Sequence, residues 1–198
     1  MTYTARRTAG LAGHPLVVTL HGTGGDENQF HDFGGALVAG AHVTSPRGDV
    51  SENGALRYFR RVAEGQYDMA DLQRAVDKLA AFIADERTAT GAPRVIALGY
   101  SNGANVLAAL SFQHPDLVDD LALLHPLIPF DPPPVDFTGR RVLITAGKHD
   151  AICPSGQTVR LADYYAHNHA DLSLFWNDGG HSIAGREIEA IRAFVAQD

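Results

Sequence analysis

Three side chains in this sequence have the types and setting to turn a hydroxyl into a nucleophile: Ser101, His181 and Asp150. Ser101 lies in Gly99-Tyr100-Ser101-Asn102-Gly103, a G-x-S-x-G pentapeptide between the apolar run Val95-Ile96-Ala97-Leu98 and a helical segment. The strand–turn–helix setting carries more weight than the five letters, which a glycine-rich turn with an incidental serine would also match. Glycines two residues either side of the serine let strand and helix approach closely while the serine takes a strained backbone. Such a turn presents the hydroxyl at the carboxyl edge of a sheet, near the positive end of the following helix.

A serine hydroxyl needs a base to take its proton, and the base needs an acid to orient it. Asp150 follows the apolar run Val142-Leu143-Ile144-Thr145-Ala146, and His181 follows Leu172-Ser173-Leu174-Phe175-Trp176. Both therefore fall past the end of a strand, in the chain order serine, acid, histidine. Asp178, three residues before His181, reads as a turn-former. His149 is a poor base for its own neighbour Asp150, and His21 belongs to another element. His167 and His169 show no metal-ligand spacing and read as surface residues. Cys153 has no elbow around it and reads as packing. A tetrahedral intermediate also needs N–H donors. The segment Leu20-His21-Gly22-Thr23-Gly24-Gly25-Asp26 follows a strand and is suited to supply one. The expected donors are the backbone amides of Thr23 and Asn102. The same loop could cradle phosphate, but neither G-x-G-x-x-G nor G-x-x-x-x-G-K-[ST] is present.

The elements that must hold these groups alternate between strand and helix, as in an α/β layered domain with a mostly parallel sheet. The expected strands are Leu16–Leu20, Ala41–Ser45, Arg94–Gly99, Leu121–Leu124, Arg141–Ala146 and Leu172–Trp176, with an edge strand within residues 2–8. Helices are expected over Asp68–Asp85, Asn102–Gln113, Ser155–His167 and Glu187–Ala196, with a weaker one over Glu27–Val38 interrupted by Gly34 and Gly35. The proline-rich stretch Pro126–Asp136 reads as a stiff loop, so residues 1–198 are expected to form one domain without a separate lid.

Composition limits the function classes. The 198 residues are 45% hydrophobic and 20% charged, with a formal net charge of −7. That sign disfavours nucleic acid and anionic membrane surfaces as partners. The single cysteine excludes an intrachain disulfide and fits a reducing compartment. The N-terminal MTYTARRTAG lacks an apolar core of the secretory type, and no run reaches membrane-spanning length. The expectation is a cytoplasmic protein.

The stretches LHGTGGDE (20–27), SPRGDVSENGALRYFRR (45–61), LGYSNGAN (98–105), AGKHDAICP (146–154) and DGGHSI (178–183) resemble the small carboxylesterase/phospholipase branch of the α/β-hydrolases. Relatives of that branch include acyl-protein thioesterases and dienelactone-hydrolase-like proteins. The resemblance implies a triad of Ser101, Asp150 and His181, oxyanion donors at Thr23 and Asn102, a central sheet of about seven strands, and frequent homodimer formation. Dienelactone hydrolases proper use a cysteine where this chain has Ser101. At the strand end Leu123-Leu124-His125-Pro126, relatives often carry arginine; His125 either lines the pocket or caps the strand. The segment Glu52–Arg61 suggests a loop leaning over the site with Tyr58 and Phe59 as an apolar wall, or else an ordinary packed surface loop.

The expected activity is hydrolysis of small to medium carboxylic esters by a Ser-His-Asp acyl-enzyme route, with no metal or organic cofactor required, and with a rate that rises as His181 loses its proton. An acyl-thioesterase or a lysophospholipase would use the same residues. Phosphoryl transfer is disfavoured by the missing signatures, and a non-catalytic binding protein on the same fold by the intact serine–acid–histidine order.

Overall fold

Long β-branched and aliphatic runs that are apolar at every position belong in strands buried on both faces, and that is where this chain puts them. The computed structural model describes residues 2–196. In chain order the elements begin with β1 (Ala5–Thr8), β2 (Leu16–Leu20), α1 (His31–Leu37) and β3 (His42–Pro46). Four short strands follow: β4 (Val50–Glu52), β5 (Ala55–Arg57), β6 (Arg61–Ala63) and β7 (Gln66–Tyr67). The remainder is α2 (Met69–Thr90), β8 (Val95–Tyr100), α3 (Asn102–Ser111), β9 (Asp120–Leu124), β10 (Arg141–Gly147), α4 (Ser155–His167), β11 (Asp171–Asn177) and α5 (Gly185–Val195).

Seven strands form one sheet in the order β1-β3-β2-β8-β9-β10-β11. Only β1 runs antiparallel, pairing with β3 through Ala5 opposite Pro46. Successive residues of each strand face opposite cores. Leu16, Val18, Leu121, Leu123, Val142 and Ile144 pack against α2, α3 and α4 on one side. Val17, Ile96, Leu98, Ala122 and Leu143 pack against α1 and α5 on the other. The chain leaves β2 toward β3 on one flank and returns at β8 on the other, so the strand order reverses between β2 and β8. A crevice at the carboxyl ends of such a pair is where open α/β sheets bind ligands.

The helices agree with expectation within a few residues, except that α2 runs on to Thr90. Asp68 caps its start by accepting the Asp71 N–H at 3.0 Å, and Gly91 ends it in a left-handed conformation. The connection holding Pro126–Asp136 is irregular, as expected of a stiff loop.

The largest departure is at residues 50–67, where the sequence suggests no strand and Glu52–Arg61 reads as a loop. Two antiparallel hairpins stand there, β4–β5 and β6–β7. The first turns through Asn53 and Gly54, both with positive φ (52° and 88°), the Asn-Gly signature of a tight hairpin. That dipeptide was the available signal.

Candidate active site

Thr23, Ser101, Asp150 and His181 each follow the carboxyl end of a strand, and the backbone dictates how these segments meet. Ser101 stands between β8 and α3 at φ 51° and ψ −114°. The flanking glycines are required by contact. A Cβ on Gly99 would stand 2.6 Å from the Gly103 carbonyl oxygen, and one on Gly103 would stand 2.6 Å from that of His21. The loop after β2 is therefore pressed against the first turn of α3. Asn102, as the first helical residue, has an N–H with no acceptor inside the helix.

His181 accepts the Ser101 hydroxyl at 2.9 Å through Nε2. Its Nδ1 donates to Asp150 Oδ2 at 2.8 Å. The two loops carrying these groups are knitted by Lys148 N–H to Asn177 O and His149 N–H to Gly179 O, which extend the β10–β11 pairing beyond the strands. Gly147 has to be glycine, because a Cβ there would collide with the Gly180 carbonyl. Tyr100 donates from its hydroxyl to the His181 carbonyl at 2.8 Å.

Asp150 is buried, and its Oδ1 accepts the N–H groups of Ile152 and Cys153, each at 2.9 Å. Burial alone would raise its carboxyl, but the Cys153 N–H and the imidazoles of His125 and His181 outweigh that and hold it below the usual range. Cys153 donates its thiol to the His125 carbonyl at 3.2 Å. Burial first, and the Asp150 charge second, push that thiol up, so it is not poised as a nucleophile.

The loop after β2 is braced from several directions. His21 donates from Nδ1 to the Gly22 carbonyl at 2.7 Å and accepts the Gly48 N–H at Nε2, 2.8 Å away. Both ring nitrogens are thus used by a neutral ring, and burial lowers its affinity for a further proton. The Gly24 N–H reaches Leu56 O of β5 at 2.9 Å, and Arg57 Nη1 donates to Thr23 Oγ1 at 2.9 Å. Thr23, Ser101, Asn102 and His181 all border one cavity of about 300 Å³.

The structure corrects the three residues expected to bind substrate. Tyr58, Phe59 and His125 are fully buried, at 0% exposure, and none borders the cavity. Tyr58 faces inward because its hydroxyl is a brace: it accepts the His21 N–H at 3.2 Å and donates to Pro46 O at 2.7 Å. Phe59 packs edge-on against Tyr67 with centroids 4.8 Å apart. The hairpins turn different residues to the cavity, namely Arg57, Arg61, Glu64 and Tyr67, and Asn105, Leu127 and Ile152 are among the other residues of its wall. Hairpin alternation from the Asn53-Gly54 turn would have pointed to Arg57.

His125 shares Asp150 with His181 and has φ 50°. Its Nδ1 is 3.0 Å from Asp150 Oδ2 and its Nε2 3.0 Å from Glu187 Oε1. Sequence reasoning did not single out Glu187, and no local signal links it to a partner 62 residues away. His125, Asp150 and His181 are close enough to suit a metal ion, but their ring nitrogens and Oδ2 are engaged with one another, Ser101 and Glu187.

No protein-family model matches the chain. It is 39% identical over 186 residues to "Putative hydrolase MhqD" of Bacillus subtilis (strain 168), with 92% of each chain covered. Among solved structures it resembles the Bacillus cereus carboxylesterase at 31% identity and a TM-score of 0.92, covering 98% of this chain and 93% of that one. The chain belongs to the small carboxylesterase/phospholipase branch of the α/β-hydrolases. The protein Atu2452 of unknown function from Agrobacterium tumefaciens str. C58 shares the fold at a TM-score of 0.95 and 51% identity, covering 98% of this chain and 96% of that one. As a hydrolase of this branch the chain carries the expected mostly parallel sheet of seven strands. No helix among the described residues is long and apolar enough to cross a membrane.

Proposed function

We propose that this hydrolase cleaves short, polar carboxylic esters through a Ser101 acyl-enzyme. The observation that carries the reading is the unbroken hydrogen-bond chain Ser101–His181–Asp150, with Ser101 at a strained turn above a helix N-terminus. His181 takes the hydroxyl proton as Ser101 Oγ attacks the ester carbonyl. Asp150 keeps Nδ1 protonated and stabilises the imidazolium. The oxyanion is received by the N–H groups of Thr23 and Asn102. Collapse returns the proton to the departing alcohol. Water, deprotonated by His181, then releases the acid and restores the serine.

Substrate size and polarity follow from the cavity. Its volume of about 300 Å³ is at the low end for ligand pockets. Arg57, Arg61 and Glu64 give it hydrogen-bonding walls suited to hydroxyl or carboxylate groups near the scissile bond and ill suited to a long acyl chain. Arg57 is itself buried, donates to Phe59 O at 3.2 Å and stands 3.4 Å from the Glu52 carboxylate.

The test is covalent labelling with a small fluorophosphonate, read by intact mass beside a Ser101→Ala control. One adduct on the parent and none on the variant is the expected result. Labelling that survives the substitution would assign the nucleophile elsewhere, and no labelling of folded parent would leave a binding protein on this fold.

A further inference from the structure

We infer that His125 is a positioning residue, held as an imidazolium between Asp150 and Glu187, and that it extends the catalytic chain to Ser101–His181–Asp150–His125–Glu187. The inference rests on the triad reading above and adds to it a buried cation that shares the carboxylate oxygen holding the base.

Proton counting carries the argument. Asp150 has four hydrogen-bond partners: two backbone N–H groups at Oδ1, and a ring nitrogen each of His181 and His125 at Oδ2. An ionised carboxylate can only accept, so the His125 Nδ1 that faces it carries the proton. At the far side, Glu187 Oε2 already accepts Asn177 Nδ2 at 2.7 Å and the Ala184 N–H at 2.6 Å. Its Oε1, an acceptor as well, faces His125 Nε2 at 3.0 Å. Both ring nitrogens thus face carboxylates that are otherwise satisfied as anions, and a neutral ring would turn a lone pair on one of them. Burial opposes the charge, but the bonds to Glu187 and Asp150 outweigh it and raise the affinity of His125 for its second proton. Glu187 is held down in turn: burial works against its charge, while His125 and the Ala184 N–H favour it.

The groups facing His125 come from four elements. They are Asp150 and Cys153 from the loop after β10, Glu187 from α5, His181 from the loop after β11, and Tyr100 from β8, whose ring is 6.0 Å away. The His125 and His181 rings are 5.3 Å apart. The cation therefore shares with His181 the carboxylate oxygen Oδ2 that orients the base, so the position of His181 depends on His125. The positive φ of His125 keeps its ring turned inward at the end of β9, where the strand carbonyl of Thr145 takes its N–H at 2.8 Å.

Two measurements test this. The first is a ring-nitrogen NMR spectrum of ¹⁵N-histidine-labelled protein between pH 5 and 9, with His125 assigned through the His125→Gln and Glu187→Gln variants. A His125 imidazole doubly protonated at pH 7 in the parent, and losing that second proton at lower pH in Glu187→Gln, is expected. A His125 ring found neutral at pH 7 in the parent overturns the inference. This readout needs no substrate, so it stands apart from fluorophosphonate labelling, which tests the Ser101 reading. The second is kcat and KM on a short ester for folded His125→Gln, where kcat should fall about tenfold with KM little changed. A kcat equal to the parent's also overturns it. Should His125→Gln not fold, the parent and Glu187→Gln spectra still decide.

Discussion

Asp150 does the most varied work of any side chain here, and its contacts explain why asparagine cannot replace it. Oδ1 fixes the loop through two N–H groups, while Oδ2 orients His181. In Asp150→Asn the amide would present N–H to one of these donors and would favour the wrong imidazole tautomer. The expected outcome is a loss of about 10⁴ in kcat on a short ester with little change in KM; a folded variant within tenfold of the parent would remove Asp150 from the mechanism. Arg57 makes a separate argument about selectivity. It is a buried cation at the cavity wall whose donors suit polar substrate groups. Arg57→Leu should lower kcat/KM for hydroxy- or carboxy-substituted esters about tenfold relative to simple acetates. A selectivity ratio that does not change would show that the polar wall is structural only.

At the scale of elements, the loops are fixed by backbone contact, and that contact can be broken one methyl at a time. Gly103→Ala would drive a Cβ into the Leu20 and His21 carbonyls, and Gly147→Ala would drive one into the Gly180 carbonyl. Each should cost about 1–3 kcal/mol and lower Tm by several degrees, about 2–4 °C per kcal/mol for a chain of this size. Activity should fall further than stability, because the displaced loops carry the Thr23 amide and His181; calorimetry and a single ester assay on each variant check both. The same elements show what was legible in the sequence. Strands β2, β8, β9 and β10 are buried on both faces and read as apolar runs, and the ends of β8 and β10 place Ser101 and Asp150; His181 follows β11, whose apolar run is legible although the strand is mostly exposed or half-buried. The hairpins at 50–67 are not legible because β4 to β7 are two or three residues long, too short for a period to show. Tyr58 and Phe59 were consequently assigned to the wrong face. The His125–Glu187 pair was invisible for another reason: it joins the end of β9 to α5, and only the packed sheet brings them together.

For the whole molecule, the buried row Glu187–His125–Asp150 joins α5, β9 and the loop after β10, so its charge state couples catalytic geometry to global stability. The two kinds of group impose opposite pH limits. Asp150 and Glu187 have carboxyls held below their ordinary values of 3.8 and 4.5. Their contribution is present above those values and is lost as pH falls through the folded ones. His125 is raised above its ordinary 6.5, so its contribution is full below 6.5 and is lost as pH rises through the folded value. All three contribute together between about pH 5 and 6.5. Calorimetric Tm of the parent and Glu187→Gln, measured from pH 3 to 10, should differ most in that interval. The gap should narrow in acid, where Glu187 is protonated in both states, and narrow again in alkali as His125 loses its second proton. A gap of constant size across the range would mean that Glu187 stabilises the fold by shape and neutral hydrogen bonds, with its charge contributing nothing.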